Sequence, residues 1–323
     1  MNDDMLINVA DLPYQLVGSL TLYNSIEGYD GIDEIVIMGM GGSGIVGDFV
    51  KSMVDGIEVK VVKSSITPRM DEHTLAIAVT YSGKTRETLA ALKRASEYGA
   101  KTVLVTSSIH NGIADRVQMI KINGNGYSRA SFGYMLAPVL LLLEKSYIIN
   151  DIRKDIKETA DILCGISKDK NRIEQLKYSL SDSDRILAVY SNEFTYPAAL
   201  RWKQLMNENA KMRCYCDVFP ELLHNEVEVW HEDVNCTLVM LRDEVYESNK
   251  EHGYDLYSII NTTKELLRDK GVNIIELFSN GNSKLSRLLS LSYIGDILSV
   301  HMAYKRSIDP RRIPNIEYIK VRG

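Results

Sequence analysis

Several stretches of this 323-residue chain carry the residue types that chemistry needs. Gly39-Met40-Gly41-Gly42-Ser43-Gly44 follows a β-rich run and opens a helical one. It matches G-x-G-x-x-G, so a dinucleotide site must be weighed. Such a site wants an acid at the end of the next strand, and that run ends Val61-Val62-Lys63-Ser64-Ser65. No carboxylate stands there, although Lys63 suits the extra phosphate of NADP. The same loop suits a phosphomonoester: glycines let backbone N–H groups approach an anion at a helix N-terminus, and Ser43 adds a hydroxyl. A tight strand–helix turn without a ligand is the plain alternative.

Thr80-Tyr81-Ser82-Gly83-Lys84-Thr85-Arg86-Glu87-Thr88 follows another β-rich run and also opens a helix. An N-cap accounts for one hydroxyl there, not for Ser82 and Thr85 flanking a glycine. With free N–H groups they make a phosphate cradle. Thr106-Ser107-Ser108 is a further hydroxyl-rich strand tip. A dinucleotide has no use for a second and third cradle, whereas a sugar phosphate does.

Other candidates bear on proton transfer. Glu208 stands between Asn207 and Asn209 in Gln204–Lys211, at a helix end where its neighbours can orient it. His224 lies in Phe219-Pro220-Glu221-Leu222-Leu223-His224-Asn225-Glu226, and imidazole is the natural proton shuttle near neutral pH. Arg129 follows the Gly/Asn/Ser-rich stretch Asn123–Ser128. The plain alternatives are a surface carboxylate, a structural histidine and a solvated loop arginine. His224 and Glu226 are close, but no third metal ligand can be named. Cys214-Tyr215-Cys216 is either a metal clip or two thiols in a reducing compartment.

Alternating β-rich and helical runs place these residues and predict an α/β fold with a parallel sheet. The predicted strands of the first half are 35–38, 58–62, 75–79, 101–106 and 117–122, with helices over 44–53, 84–98 and 134–145. The second half predicts strands 185–190, 212–217, 237–241 and 272–277, with helices 198–208, 254–270 and 283–304. Segment 151–180 is helix-prone, with Ile152, Ile156, Ile162 and Ile166 spaced as an apolar face, and reads as the connection between two domains. Asp33-Glu34-Ile35-Val36-Ile37 resembles Asp184-Arg185-Ile186-Leu187-Ala188, a weak internal repeat. Two similar sandwiches would hold a ligand between them at the C-terminal ends of their strands.

Composition excludes several classes. Lys and Arg number 38 against 43 Asp and Glu, a net charge of −5, which speaks against nucleic-acid or anionic-membrane binding. The apolar run Val139–Leu143 is far shorter than the roughly 20 residues of a membrane span. The acidic start Met1-Asn2-Asp3-Asp4 lacks the order of a signal peptide, so a cytoplasmic location is expected. Four cysteines without a CxxC pair make no disulfide framework.

These motifs resemble a known family. GGSG after the first strand and SGxTxET after a later one are similar to the sugar isomerase (SIS) domain. With Ser128–Tyr134, Gln204–Lys211 and Phe219–Glu226, the chain resembles the bifunctional phosphoglucose/phosphomannose isomerases from Asp33 to Asp309-Pro310. The resemblance implies two SIS-type, flavodoxin-like α/β/α sandwich domains with mostly parallel sheets, 1–150 and 151–323, and a site in their cleft at a subunit interface. It implies interconversion of glucose 6-phosphate, and with it mannose 6-phosphate, with fructose 6-phosphate through a cis-enediol(ate). That reaction needs a base near C1 and C2, a ring-opening acid/base and a cation at the developing oxyanion. Glu208 then transfers the proton, Arg129 stabilises the intermediate, and Gly42, Ser43, Ser82 and Thr85 hold the phosphate. His224 opens the ring. The family's lysine on the last helix is replaced, on alignment of Ser299-Val300-His301-Met302-Ala303, by His301, with Lys305 one turn on. Either can partner His224. No cofactor and no metal are implied, and the expected assembly is a homodimer. The rivals are a non-catalytic sugar-phosphate-binding regulator and an NADP-dependent oxidoreductase. Sugar amination would need an N-terminal Cys nucleophile, and Met1-Asn2 offers none.

Overall fold

The structure is a computed structural model that describes residues 4–108, 116–124, 126–180, 186–231 and 235–322. Asn125 of the loop before Arg129, Asp184 and Arg185 of the repeat, and Met1 to Asp3 lie outside the described residues. The chain divides into two compact units. The first comprises Asn8–Cys164 with Ser283–Ser286, and the second Met1–Ile7, Gly165–Asn282 and Arg287–Gly323.

In chain order the elements are α1 (Asp4–Ala10), α2 (Leu12–Gly18), β1 (Glu34–Met38), α3 (Gly41–Met53), β2 (Glu58–Val62), β3 (Thr74–Val79), α4 (Arg86–Glu97), β4 (Lys101–Thr106), β5 (Gln118–Lys121), α5 (Phe132–Lys145), α6 (Ile152–Lys168) and α7 (Lys170–Ser179). Then come β6 (Ile186–Asn192), α8 (Tyr196–Leu205), β7 (Cys214–Phe219), β8 (Cys236–Arg242), α9 (Glu244–Glu247), α10 (Leu256–Asp269), β9 (Asn273–Phe278), α11 (Lys284–Lys305) and α12 (Pro314–Arg322). The first sheet has the order β2-β1-β3-β4-β5 and the second β7-β6-β8-β9, with every described pairing parallel. The internal repeat is therefore real at the level of topology: each half starts in the middle of its sheet, steps outward once, then crosses to the other side.

Central strands buried on both faces read as unbroken apolar runs, and β3 is buried at every position. Val36, Met38, Ala76, Ala78 and Leu104 turn to one face and meet Ala91, Leu92 and Ala95 of α4. α3 lies on the opposite face, so close that a Cβ on Gly47 would stand 2.8 Å from Val61 and 3.2 Å from Ile37. Phe49 of α3 and Phe132 of α5 meet edge to face at 4.8 Å. Each fully buried branched or aromatic side chain of this kind contributes about 1.5–3 kcal/mol.

In the second unit, α8 and α11 are locked by polar groups as well as apolar ones. Trp202 Nε1 donates to the Leu291 carbonyl at 2.9 Å, and Trp202 covers Gly295 so closely that a side chain there has no room. Arg201 pairs with Asp296 through two 2.8 Å bonds, both side chains being 2% exposed. Burial pushes the Asp296 carboxyl up, and the guanidinium opposes that.

The predicted strands match the observed ones to within about two residues, the uncertainty expected of element ends. The helices after β1 and β6 differ usefully. α3 begins at Gly41, so the glycine-rich loop is itself the first helical turn. α8 stops at Leu205, and Met206–Ala210 forms a π-turn. The N-terminal helices α1 and α2 and the terminal helix α12 were not foreseen. No helix among the described residues is long and apolar enough to cross a membrane.

Candidate functional site

The first unit gathers its hydroxyl and glycine motifs at the C-terminal ends of β1, β3 and β4, and one residue ties them together. Tyr81 donates its backbone N–H to Ser43 Oγ at 3.3 Å, and its carbonyl accepts from Ser107 Oγ at 2.7 Å. Its phenol oxygen accepts the Gly126 N–H at 2.8 Å, and the ring lies flat on Gly124, where a Cβ would collide with it. In residue order Tyr81 is one member of the Thr80–Thr88 motif, with no local signal of this role. Gly44 is required because a Cβ there would lie 2.6 Å from the Gly39 carbonyl oxygen.

Ser43 is nearly buried at 7% exposure, and its hydroxyl also contacts Met135 Sδ at 3.4 Å. It stitches two loops together. Ser82 is exposed, and its Oγ accepts the Lys84 N–H at 3.2 Å. Thr85 is the N-cap of α4, yet its side chain makes no capping bond and instead accepts from Thr80 Oγ1 at 3.1 Å. A hydroxyl has one donor and two acceptor positions. Ser82 and Thr85 are used here as acceptors, so each keeps a proton to give to an anion. They stand at the N-terminus of a 12-residue helix, where free N–H groups and the helix dipole favour negative charge. Lys63 forms an ion pair with Asp48 at 2.6 Å, so the cation kept for an NADP phosphate already has a carboxylate.

Arg129 is not a solvated loop residue. It is 5% exposed, in a short 3-10 turn over Ser128–Ala130, with its guanidinium 5.7 Å from the Tyr127 ring. Its main chain abuts Gly42, where a Cβ would stand 3.6 Å from Arg129 Cα. The turn that carries Arg129 and the glycine-rich loop are therefore neighbours.

In the second unit, Glu208 is half-buried in the π-turn. π-turns inside helices recur at functional sites. Both flanking asparagines hold this one. Asn207 Oδ1 accepts the Cys214 N–H at 3.2 Å, at the start of β7, and Asn209 Nδ2 donates to Ser299 Oγ of α11 at 2.9 Å. Lys211 ends the turn in the left-handed region at φ +53°, and its Nζ donates to the carbonyls of Glu208 and Arg312. A helix continuing through Glu208, as predicted, would forfeit these bonds.

His224 is exposed at the end of a 3-10 turn, Glu221–His224, beyond the C-terminal end of β7. The following Glu226 accepts from Tyr190 Oη at 3.1 Å, and Trp230 Nε1 donates to the same oxygen at 2.6 Å. Burial, reinforced by Glu226, pushes the Tyr190 phenol far up, and the neighbouring Tyr215 behaves likewise. Glu226 is thus an anchor for the segment that carries His224.

Glu208 is not at the C-terminal ends of the second sheet's strands. α8 has to return from the end of β6 to the start of the parallel β7, and the Asn207-Glu208-Asn209 block is the end of that return. Along α11, His301 follows Ser299 by two positions, a rotation of about 200°. His301 and Lys305 lie at the Glu208 end of the unit but not on the face that Asn209 touches. The half-buried His301 contributes, after Lys177, to holding the Glu174 carboxyl of α7 low. Burial pushes the Cys214 and Cys216 thiols up, and none of the four cysteines forms a disulfide. Among the described residues no group of three His, Cys, Asp or Glu is placed to hold a metal ion.

Two α/β units, each with a parallel sheet and the first with hydroxyl-and-glycine strand tips, fit SIS-domain proteins. The SIS domain family matches residues 31–125, and the family described as the bacterial phospho-glucose isomerase C-terminal SIS domain matches residues 169–322. The bifunctional phosphoglucose/phosphomannose isomerase of Caldicellulosiruptor bescii is 30% identical, covering 98% of each chain. That of Aquifex aeolicus is 33% identical, over 88% of this chain and 89% of its own. The glucosamine-6-phosphate deaminase structure from Thermotoga maritima, 14% identical, shares the fold with a TM-score of 0.72 over 96% of this chain and 97% of that one. The chain belongs to the bifunctional phosphoglucose/phosphomannose isomerase family.

Proposed function

We propose that this enzyme interconverts glucose 6-phosphate and mannose 6-phosphate with fructose 6-phosphate. The reading is carried by the 30% identity to a bifunctional phosphoglucose/phosphomannose isomerase over 98% of both chains. It is supported by the donor hydroxyls of Ser82 and Thr85 at a helix N-terminus.

The first unit supplies the anchorage. Ser82 and Thr85, with Gly42 and Ser43, hold the phosphate, and Arg129 beside Gly42 stabilises the enediolate. The second unit supplies the proton chemistry. Glu208 takes the proton from C2 of the aldose and returns it to C1, the π-turn presenting the carboxylate. His224 opens the ring, with His301 or Lys305 as its proton partner. An Arg beside a growing negative charge in a nearly dry setting stabilises it far more than water would.

The working unit is a cytoplasmic homodimer in which a second subunit lends His224. Glu208 sits by Cys214 and His224 follows Phe219, so β7 separates them, and its length is about 17 Å from first to last residue. That is too far for both to serve one hexose from a single chain. Four cysteines outside any disulfide fit a reducing compartment.

The test is a coupled assay with glucose 6-phosphate and mannose 6-phosphate, run with and without chelator. Turnover of both, insensitive to chelator, is expected. Binding of hexose phosphates with no turnover would replace the enzyme by a sensor.

A further inference from the structure

Gln15 of α2 is 1% exposed. Glutamine is a surface residue by habit, and burying an amide is costly unless its ends are hydrogen-bonded. Here both ends are used. Nε2 donates to the Ala130 carbonyl at 2.6 Å and to the Asn8 carbonyl at 3.1 Å, and Oε1 accepts the Gly133 N–H at 3.0 Å. The approach to α5 is tight: a Cβ on Gly133 would stand 2.8 Å from Gln15 Cβ. Ala130 ends the turn that carries Arg129, and Gly133 stands just beyond it in the first turn of α5.

Short-range bonds close the turn: Ala130 N–H to Tyr127 O, Ser131 N–H to Ser128 O, and Ser131 Oγ to Tyr127 O at 2.9 Å. Gln15, 115 residues away in sequence, ties it to α2. It also lies outside the segments 31–125 and 169–322 that match known domain families.

We propose that Gln15 is a positioning residue for Arg129, acting through the Ala130 carbonyl and the Gly133 N–H; this rests on the reading of Arg129 as the cation at the enediolate. Gln15→Met keeps the volume and removes all three bonds. Small misplacements of a catalytic group can cost on the order of 100-fold in rate, so kcat should fall about 10- to 100-fold. Competitive inhibition by inorganic phosphate should change less than about threefold, because Ser82 and Thr85 are held by other bonds. Gln15→Glu keeps the acceptor for Gly133 and should fall between; should Gln15→Met yield too little folded enzyme, it carries the same readout. On an Arg129→Ala background, Gln15→Met should cost little more. Folded Gln15 variants with kcat within about twofold of wild type, or full additivity with Arg129→Ala, overturn the proposal. If Arg129→Ala itself turns over normally, the reading of Arg129 falls, and this proposal falls with it.

Discussion

Glu208 and His224 stand at opposite ends of one strand. Asn207, beside Glu208, accepts from the first residue of β7, Cys214, while His224 follows its last residue, Phe219. A dimer that lends His224 resolves the separation, and mixing two inactive variants tests it. In a mixed dimer of Glu208→Gln and His224→Ala, lending puts both lesions in one site and leaves the other intact. Half the sites of each mixed dimer should then be active. No recovery despite subunit exchange proven by native mass spectrometry would rule out lending.

Glu208→Gln should bind hexose phosphates as wild type does and lose turnover by at least about 100-fold, the lower end of what a general base contributes. Deuterium uptake from solvent into product should vanish with it. Turnover within a few-fold of wild type would remove Glu208 from the mechanism.

Asn209 and Ser299 act as one element. Asn209→Ala and Ser299→Ala should each lower kcat with little change in KM, because they release the π-turn rather than the phosphate cradle. The double variant should cost little more than either, with a coupling of about 0.5–3 kcal/mol. Simple additivity would mean that the bond does not hold the turn.

Ser82→Ala and Thr85→Ala should each weaken phosphate-dependent binding by about 10- to 150-fold, the worth of a hydrogen bond to a charged group. Calorimetric titration with fructose 6-phosphate reads this directly. Thermal stability should be nearly unchanged, since neither hydroxyl caps α4. An equal loss of affinity for unphosphorylated fructose would contradict the cradle.

The Arg311 side chain holds the Asp309 carboxyl down at about 2. The folded value lies below the ordinary carboxylate value, so the native turn binds fewer protons than the unfolded chain between the two. The interaction is therefore in force above about pH 4 and lost as pH falls toward 2. A carboxyl NMR titration should show Asp309 returning to the ordinary range in Arg311→Ala; an unmoved midpoint would break the assignment.

Much of this molecule was legible in residue order because the signals are local. Strand–helix alternation, apolar runs such as Leu75–Val79 and the hydroxyl clusters at strand tips follow from chain-neighbour physics. So did the candidates Glu208, His224 and Arg129, through motifs that resemble a family. Segments without strong periodicity, the 7-residue helices Asp4–Ala10 and Leu12–Gly18 and the terminal Pro314–Arg322, passed unseen.

What residue order could not supply depends on bonds between residues far apart in the chain. The helix through Glu208 looked continuous because propensity does not contain the bonds of Asn209 to Ser299 or Asn207 to Cys214. Residue order left a solvated Arg129 open beside a catalytic one, and its burial comes with a turn that Gln15 bonds at Ala130 and, just beyond, at Gly133. Tyr81 looked like a spacer, and only the folded chain brings Ser43, Ser107 and Gly126 to it. His301 and Lys305 shared a helical face in sequence, but which way that face turns was decided by Trp202, Arg201 and Asn209 gripping the other side of α11. Sequence by itself determined the elements and the chemical groups on offer; tertiary structure decided their exposure and orientation, because those depend on which distant partner satisfies each buried polar atom.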